Sequence, residues 1–272
     1  KPAQPSILTD NDVDEVATTS DIRAVMATND ISLGSNRISF ALIDKDRGPL
    51  GEDIDVMVGT FYLEGETPTG PVEEARAVFR RWPSGPRGVF TTRFNFDQPG
   101  KWRLQIAISQ SGEPEKQSSV PLLVKPVSFS PMIGTPAPKS SHKTFQDVAE
   151  ISHLTSDRNP DHDLYKITIS NAIKAGKPVV IVFSTPAFCQ TSTCGPQVDV
   201  IKALKQTYQT HAHFIHIEIY DNPGDIKGDL STAIISPTVE NWNLPSEPWT
   251  FIIDHEGMIR DKFEGFATEN EI

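Results

Sequence analysis

The sequence predicts two domains, an all-β sandwich followed by a mixed α/β domain. The chain has 272 residues, which is more than one typical domain needs and enough for two parts that each bury a core. Residues 20–126 alternate apolar and polar side chains between turn residues, with almost no helical periodicity. Beyond His142 the pattern changes to helices and strands in alternation, which is typical of an α/β sandwich.

Composition restricts the class of partner. The chain carries 25 Lys+Arg against 36 Asp+Glu, a formal net charge of -11. Because nucleic acids and anionic membranes are held mainly by clustered basic side chains, we expect no nucleic-acid partner. No stretch approaches the roughly 20 apolar residues of a membrane helix, so we expect no transmembrane segment either.

Residues 1–19 are interpreted as a flexible acidic lead-in. The sequence opens at Lys1 without a methionine, and residues 9–15 read TDNDVDE. We interpret this opening as the start of a mature chain from which an export signal has been removed. The protein is therefore expected outside the cytoplasm, where it would be secreted, periplasmic or held at the membrane by a lipid anchor upstream of residue 1.

The domain at 20–126 is expected to be an immunoglobulin-like β-sandwich. A Pro-Gly turn leads into a strand on which Trp102, Leu104 and Ile106 share one face. Strands are predicted at 37–43, 55–63, 75–81, 88–96, 101–109 and 119–124. No titratable cluster or metal-ligand spacing occurs in this half, so we interpret it as a spacer or packing module, with a partner-binding surface as the alternative.

Residues 127–143 are expected to link the two domains. Pro131, Pro136 and Pro138 lie there among several serines and a glycine, directly after Pro126. This composition favours an extended and semi-stiff connector. The domain boundary is therefore placed within this segment.

Residues 144–272 read as the α/β domain. Asp163 is expected to cap a helix, and the continuous apolar run at 178–183 is typical of a central strand covered on both faces. Further elements are a helix from about Pro196 and strands at 214–220, 249–253 and 258–263. Thr268 and Glu271 form a capping-box pattern, as if a last helix begins where the sequence stops.

The two cysteines, Cys189 and Cys194, lie between the central strand and the second helix. Two cysteines are too few for a disulfide scaffold. Free amide groups and the positive end of a helix dipole lower the pKa of a thiol at such a junction, which favours a reactive thiolate. Five residues apart around one turn, the two sulfurs can also meet. Redox chemistry, metal binding and a structural staple all stay open on these residues alone.

Residues 144–272 resemble the thioredoxin superfamily. An apolar strand leads into the cysteine motif FSTPAFCQTSTCGPQ at 183–197, and a helix comes next. Residues 244–257 then read LPSEPWTFIIDHEG, which is similar to the superfamily's cis-proline region, where a proline before a Thr-rich strand faces the cysteines and an Asp-x-x-Gly hairpin ends the strand. The resemblance implies a thioredoxin-like fold and assigns Pro248 as the cis-proline.

The resemblance also implies a function and a set of site residues. The function would be thiol–disulfide exchange with protein thiols and disulfides, without a cofactor. Cys189 would attack a partner disulfide and Cys194 would resolve the mixed disulfide. Pro248 and Glu247 would shape the docking edge for an extended substrate segment. Trp249 and Phe188 are the apolar residues expected to contact that substrate.

The motif departs from the usual Cys-x-x-Cys because four residues separate the cysteines. In a second register, Cys194 starts the sequence Cys-Gly-Pro-Gln, which overlays Cys-Gly-Pro-Cys and places Gln197 where the second thiol should be. The acidic residue that thioredoxins bury in the strand before the motif is absent from residues 179–183. Thiol activation is therefore expected to rest on the helix terminus alone.

Three alternatives remain beside the oxidoreductase. The spacing is similar to that of the bacterioferritin-comigratory peroxiredoxins, although Thr185 stands one residue too far from Cys189 for their Thr-x-x-Cys. Copper chaperones of the Sco type would need a histidine where Glu247 and Pro248 stand. The third alternative is a structural disulfide between Cys189 and Cys194. The histidines show no ligand spacing, so no metal site is predicted.

Overall fold

The computed structural model describes residues 21–65, 67–83, 85–189 and 192–272. The acidic lead-in expected at 1–19 lies outside the described residues. The described chain is mostly β, with one large antiparallel sheet followed by a smaller mixed sheet. No helix in the described part of the chain is both long enough and apolar enough to cross a bilayer.

Eight strands form the first sheet. They are β1 (Ile22–Met26), β2 (Gly34–Asp44), β3 (Gly48–Pro49), β4 (Asp55–Glu64), β5 (Thr67–Arg81), β6 (Gly88–Phe96), β7 (Gly100–Ser109) and β8 (Lys116–Val124). The order is β1-β2-β6-β5-β4-β7-β8, and β3 pairs with β2. The sheet is nearly closed, because the Ala24 amide on β1 donates to the Ser118 hydroxyl on β8 over 3.2 Å.

One apolar core fills the curved sheet, and it receives side chains from both ends of the strand order. Trp102, Leu104 and Ile106 are all buried in it, as their alternation predicts. The Trp102 indole N–H donates to the Gln98 carbonyl over 3.1 Å, and its ring meets Phe96 edge-on at 5.0 Å. The Pro-Gly turn before β7 is thereby fastened to the core.

Four strands and four helices form the second part of the described chain. They are α1 (Ile169–Lys174), β9 (Val179–Ser184), α2 (Cys194–Tyr208), β10 (His213–Glu218), α3 (Pro223–Ile226), α4 (Pro237–Asn241), β11 (Trp249–Ile253) and β12 (Ile259–Glu264). The sheet order is β10-β9-β11-β12. The β9 and β10 strands are parallel, whereas β11 is antiparallel to both β9 and β12.

Strand β9 is buried on both faces, as its continuous apolar run predicts. Val179, Ile181 and Phe183 pack into a core shared with α1 and α4. Val180 and Val182 pack on the other face against the apolar side of α2. The carboxyl end of β9 therefore holds the cysteine segment on a rigid central strand.

The helix predicted from Asp163 is interrupted. A short 3₁₀ turn spans His162–Tyr165, and the Asp161 side chain caps it. Helix α1 starts separately at Ile169, because the Thr168 hydroxyl accepts from the Asn171 amide over 3.2 Å. Two capping side chains thus divide a segment that apolar periodicity alone assigns to one helix.

Buried polar contacts join the two parts of the chain. The Glu264 carboxylate at the end of β12 accepts from the Asn29 and Asp30 amides at 2.9 and 3.0 Å. The buried Arg37 on β2 donates to the Glu271 carboxylate over 2.9 Å and to the Phe266 carbonyl over 2.9 Å. The second part is therefore held to the first by oriented hydrogen bonds as well as by surface contact.

The Asp30 carboxylate is the most enclosed of these groups, with a side chain that is fully buried. It accepts from Lys125 at 2.7 Å and from the Ser130 hydroxyl at 2.6 Å, and Lys262 of β12 lies 3.8 Å away. The Lys262 ammonium also donates to the Ser128 hydroxyl over 2.6 Å. Residues of the proline-rich segment 127–143 thus take part in the contact between the two parts.

Candidate functional site

The two cysteines form a disulfide at the amino end of α2, with their Cα atoms 5.9 Å apart. Cys194 is the first residue of α2 and is fully buried. Cys189 lies in the turn that leads from β9 to this helix and is half-buried. Because an attacking sulfur must reach its partner, the difference in burial favours Cys189 as the nucleophile and Cys194 as the resolving residue.

A hydrogen bond joins the end of β9 to the start of α2. The Ser184 hydroxyl, at the end of β9, donates to the Cys194 carbonyl over 2.9 Å. Ser192 has a left-handed φ of 60°, which turns the chain into the helix. The first amides of α2 have no carbonyl partner within the helix, so their dipoles favour a thiolate in the cysteine segment at this end of the helix.

Pro248 lies at the same end of the second sheet as the cysteines. The Glu247–Pro248 peptide bond is cis, the geometry expected of Pro248 from the resemblance. In the β9–β11 pairing, Trp249 stands opposite Phe183, near the carboxyl end of β9. Pro248 is buried, whereas Glu247 is half-buried, and burial raises the pKa of its carboxyl. Of these two residues, Glu247 is the one that reaches the surface.

The structure places Trp249 in the core and Phe188 at the surface. The Trp249 side chain is 1% exposed, its ring stacks on Phe251 at 5.7 Å, and its indole donates to the Ser246 hydroxyl over 3.1 Å. Trp249 therefore packs beneath the cis-proline loop and does not provide a contact surface for a substrate. Phe188 is half-buried and meets Tyr220 edge-on at 5.9 Å. It borders Cys189 directly.

Gln197 has a structural role. Its side chain is fully buried in α2. Its amide nitrogen donates to the Thr250 hydroxyl over 3.1 Å, and its amide oxygen accepts from the Ala267 N–H over 2.8 Å. The position that would carry the second thiol in the alternative register thus fastens α2 to the strand after Pro248.

Sequence reasoning missed a buried carboxyl beside the cysteine segment. Glu218 ends β10 and stands opposite Ser184 in the β9–β10 pairing. It accepts from the amide and the hydroxyl of Ser156, each over 2.8 Å. The Ser156 oxygen in turn accepts from the Ala187 amide over 3.1 Å, two residues before Cys189. A single serine therefore connects this carboxyl to the cysteine segment.

Burial raises the pKa of Glu218 to about 6. This carboxyl therefore changes charge within the physiological range. The superfamily pattern predicts a buried acid only in the strand before the motif, β9, whereas here the acid comes from the neighbouring strand. The signal was a glutamate at the end of β10, next to Ile217 and Ile219, a position that a strand buried on both faces normally gives to an apolar residue.

One groove borders the cysteine segment, and a second lies beside Glu218. One, of about 460 Å³, is lined by Phe188 and Ala187 together with Ser156 and Arg158. The other, of about 490 Å³, is lined on one side by Glu218 and by other residues of the second part. The groove at Phe188 therefore offers an extended polypeptide a surface next to Cys189.

The buried His216 has partners within the protein. The His216 ring contacts the Tyr165 hydroxyl at 2.7 Å and the Ser184 carbonyl at 3.1 Å. Burial lowers the pKa of His216 to about 4, so the ring is neutral at physiological pH. Within the described ranges, no three His, Cys, Asp or Glu side chains come together as a metal site.

Comparisons with known proteins give distant structural similarities only. No protein-family model matches the chain, and no curated protein matches it. A putative thiol:disulfide interchange protein DsbE from Chlorobium tepidum is 16% identical over 39% of this chain and 78% of its own, with a TM-score of 0.31. StoA from Bacillus subtilis is 13% identical over 43% of this chain and 90% of its own, also with a TM-score of 0.31.

A third solved structure is similar in the same limited sense. The PKD domain of an M14-like peptidase from a Thermoplasmatales archaeon is 10% identical over 38% of this chain and 92% of its own, with a TM-score of 0.22. Each of these three similarities covers less than half of the chain. The chemistry proposed for the protein therefore rests on its own residues.

Proposed function

We propose that the protein is a thioredoxin-like thiol–disulfide oxidoreductase that acts on protein disulfides outside the cytoplasm. The observation that carries the proposal is the unequal cysteine pair at the start of α2, with Cys189 accessible and Cys194 buried. The cis bond before Pro248, at the same end of the sheet, supports it. The order β10-β9-β11-β12, with one parallel and two antiparallel pairings, supports a thioredoxin-like second part.

In the proposed reaction the reduced protein transfers two electrons to a partner disulfide. The Cys189 thiolate attacks one partner sulfur and forms a mixed disulfide, and the other partner sulfur leaves as a thiolate that takes up a proton. The Cys194 thiolate then attacks Cys189 and breaks the mixed disulfide, which releases the second partner thiol. The products are a reduced partner and the Cys189–Cys194 disulfide seen in the structure. The reverse sequence oxidises a dithiol.

The surface around Cys189 suits an extended protein segment. Phe188 supplies an apolar contact beside the nucleophile, and Glu247 supplies the accessible part of the cis-proline loop. Pro248 and Trp249 are both buried, so they shape this surface by supporting the loop beneath it. We propose that the first part is an immunoglobulin-like module that carries this domain.

The location is part of the same proposal. Disulfides persist in oxidising compartments, whereas the cysteine thiols of most cytosolic proteins are kept reduced. The described chain contains one disulfide, which supports a secreted, periplasmic or membrane-anchored protein. Fractionation of the natural host, with cytosolic and envelope markers, tests this point.

The function is tested by an insulin-reduction assay together with the reduction potential of the cysteine pair. An oxidoreductase should reduce insulin in the presence of a dithiol donor. No insulin reduction, combined with a potential below about -300 mV, would identify a structural disulfide instead. Oxidation of the reduced protein by hydrogen peroxide should proceed no faster than that of free cysteine, and a much faster rate would favour a peroxidase.

The Glu218→Gln variant should lower the pKa of the Cys189 thiol. At a pH above about 6 the native carboxyl is ionised, and its negative charge disfavours a thiolate in the segment that Ser156 connects to it. Removing that charge should lower the thiol pKa by about one unit. Thiolate absorbance of the reduced protein, recorded against pH, measures this value.

The exposed Glu256 serves as the matched control for this change. A Glu256→Gln variant alters the net charge equally but lies in the β11–β12 hairpin, so its Cys189 pKa should equal that of the native protein. Equal thiol pKa values in the native, Glu218→Gln and Glu256→Gln proteins would show that Glu218 does not act on the cysteine segment.

A further inference from the structure

A fork opens in the first sheet where β5 leaves β6. Residues 78–81 of β5 pair with β6, whereas residues 67–77 pair with β4 instead. Strand β6 continues to Phe96 and is paired there with β2. Within the described residues, the side of β6 that faces the fork therefore has no strand partner beyond Thr91.

Backbone groups of β6 point into this fork. The Asn95 amide donates to the Glu73 carboxylate over 2.9 Å, so a side chain satisfies it in place of a strand. Arg93 lies two residues earlier on β6, and residues two apart on a strand direct their backbone groups to the same side. The Arg93 amide and carbonyl therefore belong to an open strand edge, which is a template for an added strand.

Arginine side chains surround the fork. A groove of about 290 Å³ is lined by Arg37, Arg76, Arg80 and Arg93, and the Glu271 carboxylate lies among them. Burial lowers the pKa of Arg37 while Glu271 raises it, and repulsion from the neighbouring arginines lowers it further. Positive charge is thus concentrated here in a chain whose net charge is -11.

The groove arginines keep donors for a ligand. Arg76 pairs with Asp55 through one terminal nitrogen at 3.0 Å, and Arg93 pairs with Asp261 through one terminal nitrogen at 2.6 Å. A guanidinium carries several N–H donors, so each of these ion pairs leaves others available. Val78, two residues after Arg76 on β5, is 46% exposed and adds an apolar contact.

We propose that this groove binds an extended acidic segment of a protein partner. The segment adds to the open edge of β6 as a strand and places alternate carboxylates on Arg76 and Arg93. Charge complementarity selects acidic side chains, and the backbone edge selects an extended chain. Binding needs neither cysteine, so the inference goes beyond the proposed redox function.

The test uses a fluorescein-labelled peptide that alternates glutamate with valine. Fluorescence anisotropy should show binding to the native protein that weakens with added salt, because exposed charge pairs are screened. The Arg76→Glu variant should bind at least about tenfold more weakly, which corresponds to the loss of one favourable charge contact. Arg23→Glu, an exposed arginine on β1 outside the groove, is the matched control and should bind as the native protein does.

Hydrogen exchange separates strand addition from simple charge attraction. The peptide should slow exchange of the Arg93 amide. A lysine–valine peptide that binds equally well, equal affinities of the Arg76→Glu and Arg23→Glu variants, or unchanged Arg93 exchange would each overturn the proposal. Inorganic polyphosphate that binds as tightly as the peptide would also overturn it, in favour of an unspecific anion site. Repeating the titration with the Cys189→Ser protein should give the same affinity, so the outcome is independent of the redox test.

Discussion

A Cys189→Ser protein should reduce protein disulfides at least about a thousandfold more slowly than the native protein, because the nucleophile is gone. A Cys194→Ser protein should behave differently. Its Cys189 can still attack, but no second thiol resolves the product, so a mixed disulfide with the partner should accumulate. Insulin turnover measures the first effect, and non-reducing electrophoresis followed by mass spectrometry measures the second.

The two variants control for each other. Both lose the same disulfide, and circular dichroism can verify that each variant is folded. The difference between them then reports the roles of the two sulfurs. If Cys194→Ser were inert and Cys189→Ser trapped the partner, Cys194 would be the nucleophile and the burial argument would be wrong. If neither variant trapped a partner, the disulfide would be a structural staple.

An Asp30→Ala protein should lose about 3–5 kcal/mol of its free energy of unfolding. Removing the carboxylate leaves the partly buried ammonium groups of Lys125 and Lys262 without the negative charge that faces them in the native protein. The Ser130 hydroxyl loses its acceptor as well. Breaking one side of such a pair is costly because the remaining charge has no compensation. Urea unfolding at neutral pH measures the loss. Asp97→Ala, at an exposed aspartate of the same half, should change it by less than about 0.5 kcal/mol.

The same substitution should alter the response to acid. Burial raises the pKa of Asp30, but hydrogen bonds from Lys125, Ser128 and Ser130 outweigh this effect and hold the pKa well below its usual range. A depressed pKa contributes stability that is present above the ordinary value, about 4, and is lost as the pH falls below it. The native protein should therefore lose stability below about pH 4 more steeply than Asp30→Ala. Parallel unfolding curves over this range would contradict the role given to Asp30.

Local periodicity was enough to predict most strands. Residues 88–96 and 249–253 form strands with the predicted bounds, because each is an apolar alternation or run ended by turn residues. The prediction of a helix from Asp163 was less accurate, since side-chain caps at Asp161 and Thr168 divide a segment that apolar periodicity assigns to one helix. Strand β1 was missed, since its sequence IRAVM shows neither a continuous apolar run nor an alternation beyond Arg23.

The site could be predicted only in part. Cys189 and Cys194 were predicted because they adjoin a buried strand, and Pro248 because of the motif around it. The burial of Trp249 depends on the Phe251 and Ser246 contacts, which no sequence window shows. Glu218 was missed for the same kind of reason, since its proximity to Ser156 spans 62 positions of the chain.

The contacts around Glu264 and Asp30 have a practical consequence for dissecting the protein into fragments. A fragment of residues 144–272 would keep Glu264 and Lys262 but would lose the amides and the carboxylate that bind them. It would also lose Ser128 and Ser130. The α/β part is therefore not separable from the first part. The smallest fragment suited to enzyme assays begins before Asn29.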